Sequence, residues 1–129
     1  MMTKSRTVAE ILAAIGDAFK AHDAKGIAAQ FADDGVFVNA VGDLAGDTYT
    51  GPTEVRGYFE KVFADTPDVA WVPRAAPIVI GSDQAVTQWC SKATTKTGEV
   101  MQWYGVDLYA FRDGMVVKKD TYVKNVTVK

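Results

Sequence analysis

The 129-residue chain is poor in the features that would tie it to a disulfide scaffold, a metal site or a charged polymer: it has one cysteine, one histidine and four prolines. Cys90 has no partner for an internal disulfide, and with His22 the sole imidazole no Cys/His zinc set can be assembled, so no metal and no cofactor are expected. An unpaired cysteine suits a reducing compartment. Fourteen Lys and Arg stand against sixteen Asp and Glu, scattered rather than blocked, for a net charge of -2. Such a surface offers no footprint for nucleic acid or for an anionic membrane. No apolar run reaches the roughly 20 residues of a membrane span, and "MMTKSRTVAEIL" lacks the apolar core and small-residue cleavage site of a secretion signal. A cytoplasmic location is the expectation.

Apolar residues make up 48% of the chain, enough for residues 1–129 to bury one ordinary domain core. Val8, Ile11, Leu12, Ile15 and Phe19 fall at helical spacing and line one side of a helix over Thr7 to Ala21. Thr7 with Glu10 three residues on fits a capping box. Asp23 can cap a second short helix over "AKGIAAQFA", with "DDG" as the next break and "VFVNAV" as a first strand. "GDLAGDTYTG" reads as a loop, and Pro52 suits the first turn of a third helix over roughly Thr53 to Ala64.

From Val69 onward the composition turns to strand formers: "VAWVPRAAPIVI", "AVTQWCSKATT", "VMQWYGVDLYAF" and "MVVKKDTYVKNVTV", separated by short turns that imply antiparallel neighbours. Pro73 and Pro77 place the first of these at a sheet edge or a bulge. Three helices before a meander of long strands predict an α+β domain, a curved antiparallel sheet packed on the helices. Parity places Met101, Trp103, Gly105, Asp107, Tyr109 and Phe111 on one face and Val100, Gln102, Tyr104, Val106, Leu108 and Ala110 on the other. Both faces are largely apolar. One covers the helices; the other is expected to meet a second copy of the sheet in a two-fold homodimer.

The order of elements, with "KGIAAQFADDGVFVNAVG", "YTGPTEVRGYFEKVF" and "GVDLYAFRDGMVVKKDTYVKN", resembles the nuclear transport factor 2-like superfamily, in its ketosteroid isomerase and SnoaL-like branch. The resemblance spans nearly the whole chain. It implies a cone-shaped, cystatin-like α+β roll with a pocket at its open end. The superfamily includes isomerases, cyclases, epoxide hydrolases, dehydratases and binding proteins, so fold analogy alone selects no chemistry.

Ketosteroid isomerases use a proton-carrying carboxylate, an oxyanion-binding tyrosine and a protonated aspartate kept neutral by an apolar site. Alignment with that pattern puts Asn39 where the base stands, and an amide is no base near neutral pH. It puts Ile15 at the oxyanion tyrosine and Phe59 where a supporting tyrosine is common. Asp107 falls on the protonated aspartate, and the resemblance implies a neutral acid that donates a hydrogen bond inside an apolar pocket. The alternative reading pairs Asp107 with Lys92, Arg56 or another cation, or with neighbouring amides.

Asn39 could bond a ligand carbonyl or satisfy its adjacent loop. Asp120 shares a strand face with Tyr122 and could reach the pocket mouth, or "KKD" could be a solvated strand edge. Ile15, Phe19, Tyr58, Phe59, Trp89, Trp103 and Tyr122 are the expected ligand-facing walls, the tryptophans serving equally as core or dimer contacts. His22 follows the first helix and suits a capping or surface role, and Cys90 suits packing.

Two readings therefore stand side by side. In one, the domain is an isomerase, cyclase or hydrolase acting on an apolar carbonyl or epoxide metabolite, with Asp107 as acid or donor and Asn39 and Asp120 completing the site. In the other, the same pocket binds a ligand, or the domain dimerises, without chemistry.

Overall fold

The computed structural model describes residues 6–124. The first five residues of "MMTKSRTVAEIL" and the end of "MVVKKDTYVKNVTV" lie outside the described residues. Helix α1 runs Val8–Lys20 and opens on the capping box: Glu10 N–H donates to Thr7 Oγ1 at 3.2 Å and Thr7 N–H to Glu10 Oε1 at 2.9 Å. Asp23 caps α2, Ala24–Ala28, by accepting from the Gly26 amide at 2.9 Å. Helix α3 runs Gly51–Asp65 with Pro52 in its first turn, where a missing amide costs nothing.

The strands are β1 (Phe31–Val38), β2 (Thr48–Thr50), β3 (Ala70–Pro73), β4 (Ile78–Ile80), β5 (Gln84–Thr94), β6 (Val100–Arg112) and β7 (Met115–Val123). They form one sheet in the order β2-β1-β7-β6-β5-β3, with β4 also pairing β5. Pro73 and Pro77 divide their segment into β3, which lies at the sheet edge, and the short β4, so neither proline interrupts a central ladder.

Two features depart from the expected meander. The second helix stops at Ala28, and "FA" together with "DDG" is not helix and break but the start of β1, which pairs in parallel with β7, with an irregularity between Phe31 and Val36. The loop "GDLAGDTYTG" ends in β2, whose residues pair antiparallel with β1. The parallel pair is a long-range contact that no local turn announces.

Ile11, Ile15 and Ala18 of α1, Ile27 of α2, and Val55 and Phe59 of α3 pack against Phe31, Phe37, Tyr109, Phe111 and Val116 of the sheet to form one core. Beside this core, the half-buried Leu12 and Phe19 and the exposed Gly16 of α1 border a cavity of about 1450 Å³ between the helices and the inner face of the sheet. Among the described residues no helix is long and apolar enough to cross a membrane.

Candidate ligand site

The hairpin joining β6 to β7 fixes which side chains enter this cavity. Its two turn residues, Asp113 and Gly114, both have positive φ, 51° and 74°, the left-handed pair that suits a tight hairpin. Arg112 pairs with Met115 and Phe111 with Val116, but Ala110 pairs with Lys118. One extra residue in β7 therefore bulges out, and every later side chain of β7 exchanges faces. Thr121 and not Asp120 comes to stand opposite Asp107, and Lys119 stands opposite Tyr109.

Asp107 thus has hydroxyls on both flanking strands, Thr87 across β5 and Thr121 across β7. Thr121 Oγ1 donates to its Oδ1 at 2.6 Å, and Thr87 Oγ1 to its Oδ2 at 3.2 Å. The Trp89 indole N–H donates to Oδ2 at 2.8 Å, and the Lys119 ammonium donates to Oδ1 at 2.9 Å. Four donors therefore converge on two oxygens. Asp107 and Lys119 are 5% and 4% exposed, so this ion pair is held away from solvent, where attraction is strong and desolvation costly.

Lys119 also sits among aromatic rings: its Nζ lies 4.7 Å from the centroid of Phe37, 5.6 Å from that of Phe19 and 5.9 Å from that of Tyr109. Ring faces attract an ammonium and help offset its lost hydration. Burial, and then the charge of Asp107, push the Tyr109 phenol well above its ordinary range.

A second polar pair borders Phe37, whose ring is 5.4 Å from that of Tyr58. Asn39 follows the end of β1. Its Oδ1 accepts from the Ala40 amide at 2.8 Å, which fixes the amide so that Nδ2 faces Tyr58 and donates to its hydroxyl at 2.8 Å. Burial raises the Tyr58 pKa, opposed by the bond from Asn39, so the hydroxyl keeps its proton through neutral and mildly alkaline pH.

Of the residues expected from sequence, Ile15, Phe19, Asn39, Tyr58, Phe59, Trp89, Trp103 and Asp107 all line the cavity. Asp107 accepts four hydrogen bonds and pairs with Lys119, the geometry of the alternative reading in which it meets another cation.

Asp120 and Tyr122 do not line the cavity: the bulge in β7 turns both to the outer face, where the Tyr122 hydroxyl meets Asp120 at 3.4 Å. The residues that sequence reasoning missed are Lys119, Thr121 and Thr87. His22 joins the wall as well, stacked on Phe63 with centroids 4.4 Å apart and its Nε2 2.6 Å from the Val69 carbonyl oxygen. Cys90 lies on the outer face, where Gln102 Nε2 approaches its sulfur at 3.3 Å.

The helices, the wrapped sheet and the cavity between them match a known pattern. A family model described as the SnoaL-like domain matches residues 12–119. The chain belongs to the SnoaL-like domain family. This SnoaL-like domain has the ketosteroid isomerase-like, nuclear transport factor 2-like fold found in many solved structures.

It is similar to a nuclear transport factor 2-like protein from Burkholderia thailandensis, at 19% identity over 92% of each chain and a TM-score of 0.80. It is similar to a ketosteroid isomerase-like protein from Catenulispora acidiphila in complex with trimethylamine, at 19% identity over 91% of this chain and 86% of that one, TM-score 0.77. TerC, co-crystallised with polyporic acid, is 22% identical over 90% of each chain, TM-score 0.76. Identities at this level establish a shared fold. No curated protein matches the chain.

Proposed function

We propose that the SnoaL-like domain is a small-molecule pocket protein that takes an apolar, ring-bearing ligand into the cone and seats the ligand's polar end beside Asp107 and Lys119. The observation carrying this reading is a buried ion pair in a cavity whose wall is largely aromatic and aliphatic, the usual construction of a site that combines affinity with orientation. Two of the similar structures hold small molecules, which agrees with it.

Binding is favoured over catalysis by Asp107, because a carboxylate already engaged by four donors has no proton to give and no free lone pair aimed at a substrate. The loss of a base at Asn39 points the same way.

All three tryptophans, Trp71, Trp89 and Trp103, line the cavity, so their emission reports its occupancy. Titration with 2-acetylnaphthalene, an apolar ketone, should quench that emission saturably. Emission unchanged across a panel of apolar ring compounds would reject the reading.

The same proposal extends to assembly. Val72 on β3, Tyr104 and Leu108 on β6 and Tyr122 on β7 are exposed apolar side chains of the same sheet, with β5 between β3 and β6. We assign these side chains to contact with a second copy of the domain, since an isologous pairing lets them cover one another.

A further inference from the structure

We infer that the ligand this cavity selects is an organic acid or acidic enol: an apolar ring body carrying an anionic oxygen group, held by the spare donor of Lys119, with the Tyr58 hydroxyl as a second donor on the wall. The inference rests on the pocket reading above and adds the chemical class of the ligand.

It follows from which hydrogen-bonding capacity remains after the protein has satisfied itself. Asp107 has both oxygens taken, Oδ1 by Lys119 and Thr121 and Oδ2 by Trp89 and Thr87. Asn39 Oδ1 is held by the Ala40 amide, and the Tyr58 oxygen accepts from Asn39. Both carboxylate oxygens, the Asn39 amide oxygen and the Tyr58 oxygen thus each already meet a donor.

The donors are in surplus. Lys119 has three N–H groups and spends one on Asp107 and one on Thr121, the latter at 3.0 Å. The third has only aromatic rings around it, and a ring face is a weak acceptor beside an anionic oxygen. The Tyr58 hydroxyl, its lone pair turned to Asn39, has a proton that no acceptor among the described residues takes. Both donors line the cavity and both residues border the Phe37 ring.

Charge along the cavity agrees. Lys20, Lys119 and Lys124 line it against Asp107 and Glu99, an excess of positive groups in a chain whose net charge is negative. The aromatic surroundings of Lys119 would attract a cation if they stood vacant of one, but the lysine's own ammonium already occupies them. An amine ligand brought to Lys119 would meet a like charge, with the Asp107 oxygens already engaged by four donors. Asp107 opposes an incoming anion, and its four donors, Lys119 foremost, counter that effect.

The test uses one ring body with four end groups: 2-naphthoate, 2-naphthol, 2-methylnaphthalene and 2-naphthylmethylamine, titrated by calorimetry into the intact protein. The acid should bind about tenfold or more tightly than the methyl compound, as a charge-assisted hydrogen bond supplies. The amine should bind more weakly than the methyl compound. Naphthol bound as tightly as naphthoate identifies the enol class; naphthoate well ahead of naphthol identifies the carboxylate class.

Lys119→Met combined with Asp107→Asn removes the pair without leaving a lone buried charge, and should erase the acid's advantage while the methyl compound binds as before. Asp107→Asn alone should raise the acid's affinity, and Tyr58→Phe should lower it severalfold. Naphthoate no tighter than the methyl compound, or an advantage that survives the double substitution, overturns the inference and leaves the pocket reading intact. Failure of all four probes to bind, with the protein folded, overturns the pocket reading itself.

Discussion

Gly105 lies directly across from Trp89 in the β5–β6 ladder, and the indole ring occupies the space that a side chain at Gly105 would need. That missing side chain lets the ring lie against β6 and bring its N–H to 2.8 Å from Asp107 Oδ2. A glycine two residues from the buried carboxylate is therefore part of how the carboxylate is satisfied.

Gly105→Ala should displace Trp89, break its bond to Asp107 and destabilise the fold by about 1–3 kcal/mol, the usual cost of overpacking a fitted interior. Urea denaturation measures the loss, and near-ultraviolet circular dichroism should show the tryptophan environment changed. A variant with wild-type stability and spectrum would mean that the ring does not depend on the glycine.

Removing one member of the Asp107–Lys119 pair should cost far more than removing both. Lys119→Met leaves a buried carboxylate without its counter-charge, worth about 3–5 kcal/mol of stability, whereas the double substitution with Asp107→Asn should recover most of that loss. A double-mutant cycle from urea midpoints checks it, and additive losses would contradict the coupling.

Much of this arrangement was legible in the sequence. The apolar spacing of α1 and the Thr7–Glu10 pair are local patterns, and the structure reproduces them within a residue. Strand parity alone turns Asp107 inward, because a continuous ladder with β5 preserves the alternation. Lys119 escaped because "KKD" beside a hairpin reads as solvated, and because a two-residue turn extended without interruption puts Asp120 opposite Asp107. The single-residue bulge in β7 reverses that assignment, and nothing in "MVVKKDTYV" marks it except the consequence: with Asp120 inward, two carboxylates would face each other in a dry cavity. The like-charge conflict was the available signal. The parallel β1–β7 pair was beyond reach for a different reason, since it joins segments that are far apart in sequence without a connecting pattern.

Assembly through the outer face should be sensitive to one charge. Leu108 is 43% exposed on the outer face, between Val86 on β5 and Asp120 on β7. Leu108→Arg should convert a dimer to a monomer in sedimentation velocity with little change in the folded subunit. A wild-type protein that sediments as a monomer at micromolar concentration would refute the pairing.

Alkaline stability should follow the two buried phenols. Tyr58 and Tyr109 both have folded pKa values raised above the ordinary 10.0, in each case by burial first. A raised value favours the protonated folded form, so this stability is complete below the unfolded pKa and is lost as the pH rises through the folded one. In an alkaline tyrosinate absorbance titration of the native protein, Tyr58→Phe and Tyr109→Phe should each delete a late step. Deletion of a step in the ordinary range would contradict the assignment.

Access to the cavity is tested most directly at Gly16, an exposed helical glycine bordering the cavity, where a Cβ would meet no atom within 4 Å. Gly16→Phe should lay a ring over the cavity's edge without disturbing the core, and relief of a mid-helix glycine should leave stability unchanged or higher by about 1 kcal/mol or less. The decisive measurement is the calorimetric affinity of 2-naphthoate for wild type and for this variant. Binding by the wild type and its loss in an equally stable Gly16→Phe protein is the expected pair of results; undiminished binding in the variant would show that the ligand lies elsewhere.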